Sequence, residues 1–301
     1  MLTWVTFPCY VVLFSGLIYF IGWKLRAGKA EWNELHVVDL VPQALEGRGA
    51  LRGRTYTSLY SPANDTYPVG LDLPTGLVRP ESRGLFEAGT VTPKRTIVVQ
   101  KPKGITTELG VDVWTSQLNV FDWQDYATVP LTGKLNASSK SIHLDNLSDH
   151  KIDRIWVVRA GQIHQLGGLT PHRGADFDLS TTNQLALKTF VTTRRPRLAE
   201  VINLRGQAFG ANDRTHIDEW AETSIVASFA GMLAPEEAEG RGYISPPGLD
   251  LTPLVQRGDT VVFAWMPDAS LIRPIPHFET PRFQKNTLLR WVIPRAGSPT
   301  P

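Results

Sequence analysis

The chain has 301 residues, of which 42% are hydrophobic, 20% charged and 9% aromatic, with 25 Gly and 22 Pro. This balance excludes a disordered chain, a collagen and a coiled coil. A net charge of +2 argues against a dedicated nucleic-acid binder, whose phosphate contacts need a basic surface, and a single cysteine excludes a disulfide framework and a cysteine-based zinc site.

The N-terminal segment from Trp4 to Trp23 carries no charge. At 1.5 Å per residue it spans about 30 Å, the thickness of a hydrocarbon core. Trp4 at one end and Tyr19 and Trp23 at the other suit the aromatic belts of a bilayer, and Lys24, Arg26 and Lys29 follow at headgroup level. These features predict an uncleaved, single-pass membrane anchor over residues 1–30. A buried core helix rarely has this length and these flanks. A cleaved leader wants a shorter apolar core and a basic start, and Met-Leu-Thr supplies none. The charges lie C-terminal to the span, so the positive-inside rule by itself puts the body in the cytoplasm.

After the anchor the chain reads as mainly β. Glu34–Val41, ended by Pro42, and Ala50–Tyr60 predict strands, and 68–89 reads as loop-rich. Arg95–Gln100, Gly110–Val120 and Tyr126–Leu131 predict further strands, which fills a β-rich domain over 31–132. Residues 133–180 form the best-marked unit: short strands at Ser141–Leu144, Ile152–Arg159 and Ile163–Leu166, then alternation over Ala175–Leu179. That order predicts an immunoglobulin-like antiparallel β-sandwich segment. Residues 181–235 read as a helical insertion. Thr182–Val191 and Arg197–Arg205 are weak helices, whereas Thr215–Leu233 is strong, with Ile217, Trp220, Ala221, Ile225, Phe229, Met232 and Leu233 on one face. Residues 236–301, with TVVFAW (260–265) and TLLRWVI (287–293), complete the β-body.

The residues name no catalytic group, cofactor site or metal site. HExxH, G-x-S-x-G and P-loop patterns are absent. His143 with Asp145, and His150 with Asp153, could cluster, as could His216 with Glu219 on the strong helix, but solvated turn and surface roles suit all of them. The tryptophans beyond the anchor, Trp32, Trp114, Trp123, Trp156, Trp220, Trp265 and Trp291, read as core. Trp123 has acids near it on both sides and is the candidate for an exposed carbohydrate platform. Arg194, Arg195 and Arg197 form a basic cluster that could touch a headgroup, a phosphate or a partner. Asn64, Asn136 and Asn146 open Asn-x-Ser/Thr sequons.

TFPCYVVLFSGLIYFIGWKLRAGKAEWNELHVVDLV, followed by GRTYTSLYSP, resembles part of a group of uncharacterised bacterial membrane proteins, through Trp4, Pro8, Gly22, Asn33, Glu34, Leu35, Val37 and Val38. NLSDHKIDRIWVVRAGQIHQLGGLTP resembles their immunoglobulin-like segment. The resemblance implies that this is the C-terminal part of a longer protein, with an upstream span and an extracytoplasmic β-domain, against the literal charge rule. It brings no catalytic residues. The expectation is a membrane-anchored, non-catalytic structural or interaction protein of the bacterial cell envelope, whose partners are the lipid bilayer and other envelope or membrane proteins. A glycan-binding domain and a metal-dependent hydrolase are the alternatives.

Overall fold

The computed structural model describes residues 3–26, 29–45, 48–81, 96–113, 115–136, 140–194, 217–232, 248–272, 274–280 and 282–295. Among these residues it is mainly β, in three sheets with few helices. A 24-residue N-terminal helix, α1 (Thr3–Arg26), precedes the first strand. The N-terminal strands are β1 (Glu31–Leu45), β2 (Arg48–Ser61), β3 (Asp65–Leu71), β4 (Leu77–Glu81), β5 (Thr96–Lys101), β6 (Gly104–Val111) and β7 (Thr115–Ala127). The C-terminal strands begin with β8 (Leu131–Leu135), β9 (Ser141–Asn146), β10 (Arg154–Arg159), β11 (Gln162–Leu166), β12 (Gly174–Asp178) and β13 (Asn183–Ala186). Then come α2 (residues 187–194), α3 (Ile217–Ala227), a 3-10 turn (Ala230–Met232) and α4 (Thr252–Gln256). Strands β14 (Thr260–Pro267), β15 (Ile275–Pro276) and β16 (Arg282–Ile293) finish the body.

The large sheet has nine strands in the order β13-β11-β10-β14-β16-β1-β2-β7-β4. A three-stranded sheet, β12-β9-β8, and a four-stranded sheet, β15-β3-β6-β5, accompany it. Among the described residues every ladder is antiparallel except β1 with β16, which run parallel at the middle of the large sheet. Period-2 alternation sorts the side chains. Trp32, Val38, Leu59, Phe121, Val157, Val262 and Leu289 of the large sheet share one core with Ile142 and Leu144 of the three-stranded sheet and Val69, Leu71 and Leu109 of the four-stranded one. On the opposite face of the C-terminal strands a second core forms. There Trp156, Val158, Phe263 and Trp265 pack against Leu187, Phe190, Ile225, Phe229 and Val255 of the helical layer.

Several sequence expectations are corrected. β1 does not stop at Pro42: it runs on to Leu45, because the register with β2 shifts between Val41 and Leu45, and a bulge accepts a residue without an N–H. The loop-rich stretch from 68 holds part of β3 and all of β4. Pro68 is tolerated inside β3 because its carbonyl accepts from the His277 N–H on the β15 side, where no proline donor is needed. The single strands predicted over Gly110–Val120 and Tyr126–Leu131 are each two strands, split where the chain changes sheet. The weak helix at Thr182 begins as β13, paired to β11, and turns helical only at 187; Arg197–Arg205 lies outside the described residues. The strong helix is α3 plus the 3-10 turn. Ala221, Ile225 and Phe229 are buried, but Trp220 is 45% exposed and does not belong to the packed face. Among the remaining tryptophans Trp32, Trp123, Trp156, Trp265 and Trp291 are buried, and Trp114 lies outside the described residues.

Candidate functional site

A buried polar constellation lies on the inner face of the large sheet, inside the core. Trp32, Glu34 and His36 alternate along β1 and so face the same way. Glu34 sits opposite Thr57 and His36 opposite Thr55 on β2, while Gly53 sits opposite Trp123 on β7. A Cβ on Gly53 would lie 1.9 Å from the Trp123 ring, so the indole lies directly on the glycine backbone. The Trp32 indole donates to Glu34 Oε1 at 2.6 Å, and His36 Nε2 meets Glu34 Oε2 at 2.9 Å. His36 Nδ1 meets Thr55 Oγ1 at 2.8 Å, and the Trp123 indole donates to Thr55 Oγ1 at 3.1 Å. One assignment uses every proton once: the Thr55 hydroxyl donates to Nδ1, and Nε2–H donates to the Glu34 carboxylate.

Carboxylate, imidazole and hydroxyl in this order is also the order of a nucleophilic relay. The Thr55 hydroxyl is nevertheless fully buried and already occupied by the Trp123 N–H, so no substrate can reach it. The chain of bonds ties β1, β2 and β7 together through their buried face. Its sequence signal is a polar pair at i and i+2 on an otherwise apolar strand face, a pattern that predicts a strand but does not single out Glu34 and His36.

A second cluster lies on the outer face of the three-stranded sheet. His143 is clamped between two carboxylates, Nδ1 to Asp176 at 2.9 Å and Nε2 to Asp145 at 3.1 Å. Hydrogen bonds from Asp176 first and then Asp145 raise the imidazole above its ordinary pKa. Gly174 leaves the room: a Cβ there would lie 2.2 Å from Asp145 Oδ1. The other suggested pair does not join it. Asp153 is taken by Lys151 at 2.9 Å, and His150 accepts Asn146 through its backbone. His216 lies outside the described residues. Among the described residues no group of three His, Cys, Asp or Glu could hold a metal ion.

The remaining candidates disperse. Trp123 is no surface platform: it is 4% exposed, because alternation along β7 turns it toward the core rather than toward the acids beside it in sequence. Arg194, the last described residue of α2, stacks its guanidinium over the Phe190 ring at 4.6 Å and pairs with Glu222 of α3, which makes it a tie between two helices. Arg195 and Arg197 lie outside the described residues. Asn146 is fully buried, donating to the His150 and Thr170 carbonyls and accepting from Ser148, so its side chain caps a turn and is closed to a glycan.

On α1, Trp4, Trp23, Lys24 and Arg26 fall within the helix but outside its described side chains, which run from 6 to 21. All of those are exposed, Tyr19 at 77%. Val11, Val12, Leu13 and Phe14 are consecutive and all exposed; at 100° per residue they sweep the whole circumference. Among the described residues no helix is long and apolar enough to cross a membrane.

No protein-family model and no curated protein matches the chain. Among solved structures, the yeast delta-COP-I mu-homology domain complexed with a Dsl1 WxWxV peptide is similar over 88% of this chain and 96% of that chain, with 6% identity and a TM-score of 0.33. The same yeast domain alone is similar over the same shares, with 8% identity and a TM-score of 0.30. Similarities this low carry no argument about fold or function.

Proposed function

We propose that this protein is a membrane-anchored, non-catalytic structural or interaction protein of a bacterial cell envelope, with α1 in the bilayer and the β-body on the extracytoplasmic side. The observation that carries this reading is the exposure of uncharged, apolar side chains around the full circumference of α1. In water such a surface costs about 25 cal/mol per Å² of apolar area, and a hydrocarbon environment removes that cost. The sequence continues the uncharged run beyond the described side chains, from Trp4 to Trp23. The burial of Glu34, His36 and Thr55 supports a structural role for that bonded chain.

The C-terminal strands are read here as an immunoglobulin-like sandwich. β8, β9 and β12 occupy one sheet, while β11, β10, β14 and β16 are consecutive neighbours in the facing one. That partition and chain order match strands A, B and E against C′, C, F and G. The helical layer is then an excursion between strands E and F.

Carbonate extraction and flotation on liposomes test the anchor. The full chain is expected to stay with lipid, and a chain starting at Lys29 to stay in the aqueous fraction. Extraction of the full chain, or pelleting of the shortened one, overturns the reading. Sidedness is read with Thr170→Cys in a Cys9→Ser background, since Thr170 is exposed whereas the hydroxyl of the neighbouring turn residue Ser148 bonds to Asn146. Labelling by an impermeant reagent in intact cells supports the outer location, and protection until lysis overturns it.

A further inference from the structure

Alternation turns the odd-numbered residues of β2, β7 and β6 toward the core that the large sheet shares with the four-stranded one, where Leu59, Phe121, Ile105 and Leu109 pack. Two hydrogen bonds fix how these sheets lie over each other. Ser61 Oγ meets Tyr67 Oη at 2.6 Å, and Gln117 Nε2 donates to Thr96 Oγ1 at 3.3 Å. Tyr67 and Thr96 are both opposite Leu109 in their ladders, so the row Tyr67–Leu109–Thr96 lies over Leu59 and Gln117, themselves opposite each other. β3 returns from the turn after Ser61 in the direction opposite to β2. One step further into the core, Thr107 therefore lies over Thr57 and Asn119, another opposite pair, and the next step sets Ile105 over Thr55 and Phe121.

The middle row is the polar one. Thr107 and Asn119 are 0% and 1% exposed, and Thr107 Oγ1 and Asn119 Nδ2 have no hydrogen-bond partner among the described residues. Native cores rarely leave such groups unpaired. Asn119 Oδ1 already accepts from Gln117 Nε2 at 3.3 Å, and the Thr57 hydroxyl donates to the Asn119 carbonyl at 3.3 Å, which leaves lone pairs on Thr57 Oγ1. Tyr56, whose hydroxyl is also unpaired, is an even residue of β2 and lies on the other face. The middle row also carries fewer side-chain atoms than the rows beside it. Leucines face each other on one side and Ile105 faces Phe121 on the other, and these longer side chains set the spacing of the sheets. The shorter row therefore has room on the order of one water molecule, whose share of liquid volume is about 30 Å³.

We propose that one ordered water molecule is bound in the core between Asn119 Nδ2, Thr107 Oγ1 and Thr57 Oγ1, and that it joins the four-stranded sheet to the large one. The water accepts from the Asn119 amide and the Thr107 hydroxyl and donates to Thr57 Oγ1, three bonds, as buried waters commonly make. An ion does not suit the same groups. A cation would face the Asn119 N–H, and an anion would sit in the row of Glu34, which is opposite Thr57 and has its oxygens held by Trp32 and His36. Turning both amides over would pair Asn119 Nδ2 with Gln117 Oε1, but the Thr107 hydroxyl would still lack an acceptor, so the water is required in either orientation. The site does not depend on the anchor or on the compartment of the β-body.

Oxygen-17 relaxation dispersion tests this on the full chain in neutral detergent, because it counts internal waters that stay longer than the molecule takes to tumble. The double variant Thr107→Val with Asn119→Leu keeps the side-chain shapes and removes the polar groups, and it should lower the dispersion amplitude by the share of one water. Thr107→Ser keeps the hydroxyl and should leave the amplitude unchanged. A crystal structure of the native chain should place a water oxygen within about 3.2 Å of both Asn119 Nδ2 and Thr107 Oγ1. Full amplitude in the double variant overturns the proposal, as does a loss in Thr107→Ser equal to that in the double variant. It is also overturned if the crystal structure shows the two side chains bonded directly to each other or to another residue. Should the double variant fail to fold, the crystal structure of the native chain decides by itself.

Discussion

His143 shows how two neighbours fix the charge of one side chain. Each ring nitrogen has a carboxylate oxygen within 3.1 Å, so both donate only when the ring carries a proton on each. The folded chain therefore holds the imidazolium more tightly than the unfolded chain does, and Asp176 is the larger cause. The resulting stabilisation is complete below the unfolded value of about 6.5 and is lost as pH rises through the higher folded value. NMR titration of the His143 ring protons should give a midpoint above that of an ordinary histidine. Asp176→Asn should lower it more than Asp145→Asn does; equal effects, or an unshifted midpoint in the native chain, contradict the clamp. The buried chain from Trp32 to Trp123 follows a different rule. It is satisfied internally, and at this scale the sequence shows its limit. Trp32, Glu34 and His36 are visible as alternate residues of a strand, but which face meets the core depends on β2, β7 and β16, all distant in sequence.

Local elements were the most legible part of the chain. Ser141–Leu144, Ile152–Arg159, Ile163–Leu166 and Ala175–Leu179 read as strands from alternation and turn residues, and β9 to β12 lie there. In the turn between β10 and β11 Ala160 and Gly161 both have positive φ, 47° and 75°, the pattern of a type I′ hairpin. Glycine accepts that backbone freely, whereas alanine meets its own Cβ. Ala160→Asn should therefore stabilise the chain by about 0.5–1 kcal/mol, read as a higher denaturant midpoint with unchanged slope. A lower midpoint would mean that the turn is not what limits this hairpin. β13 and β3 were missed for opposite reasons. Asn183–Ala186 lacks β-branched residues and is a strand only because β11 offers it an edge, and β3 carries Pro68 and Gly70, which sequence rules assign to loops.

At the scale of the whole molecule the parallel seam between β1 and β16 joins the two halves of the large sheet, and no local pattern could reveal it. Parallel neighbours need a long crossover, and here most of the chain is that crossover. Asp39 and Arg290 face each other across this seam. Arg290 is 1% exposed. Its guanidinium holds Asp39 at 2.6 and 2.9 Å and donates to the Leu249 and Gly248 carbonyls at 2.7 and 3.2 Å, so one side chain ties the seam to the loop that leads into α4. The two ends of the ion pair are unequal, since Asp39 reaches solvent and Arg290 does not. Removing the acid strands a buried cation; removing the base leaves a carboxylate that water can reach and carbonyls that lose a donor. Asp39→Ala should therefore cost more, about 3–5 kcal/mol, than Arg290→Met, at about 1–3 kcal/mol. Arg290→Met should in addition speed amide exchange over residues 248–258, because the loop loses its tie. Urea unfolding of the two variants decides the order. If Arg290→Met is the costlier, the guanidinium acts mainly as a brace for the loop and not as half of an ion pair across the seam.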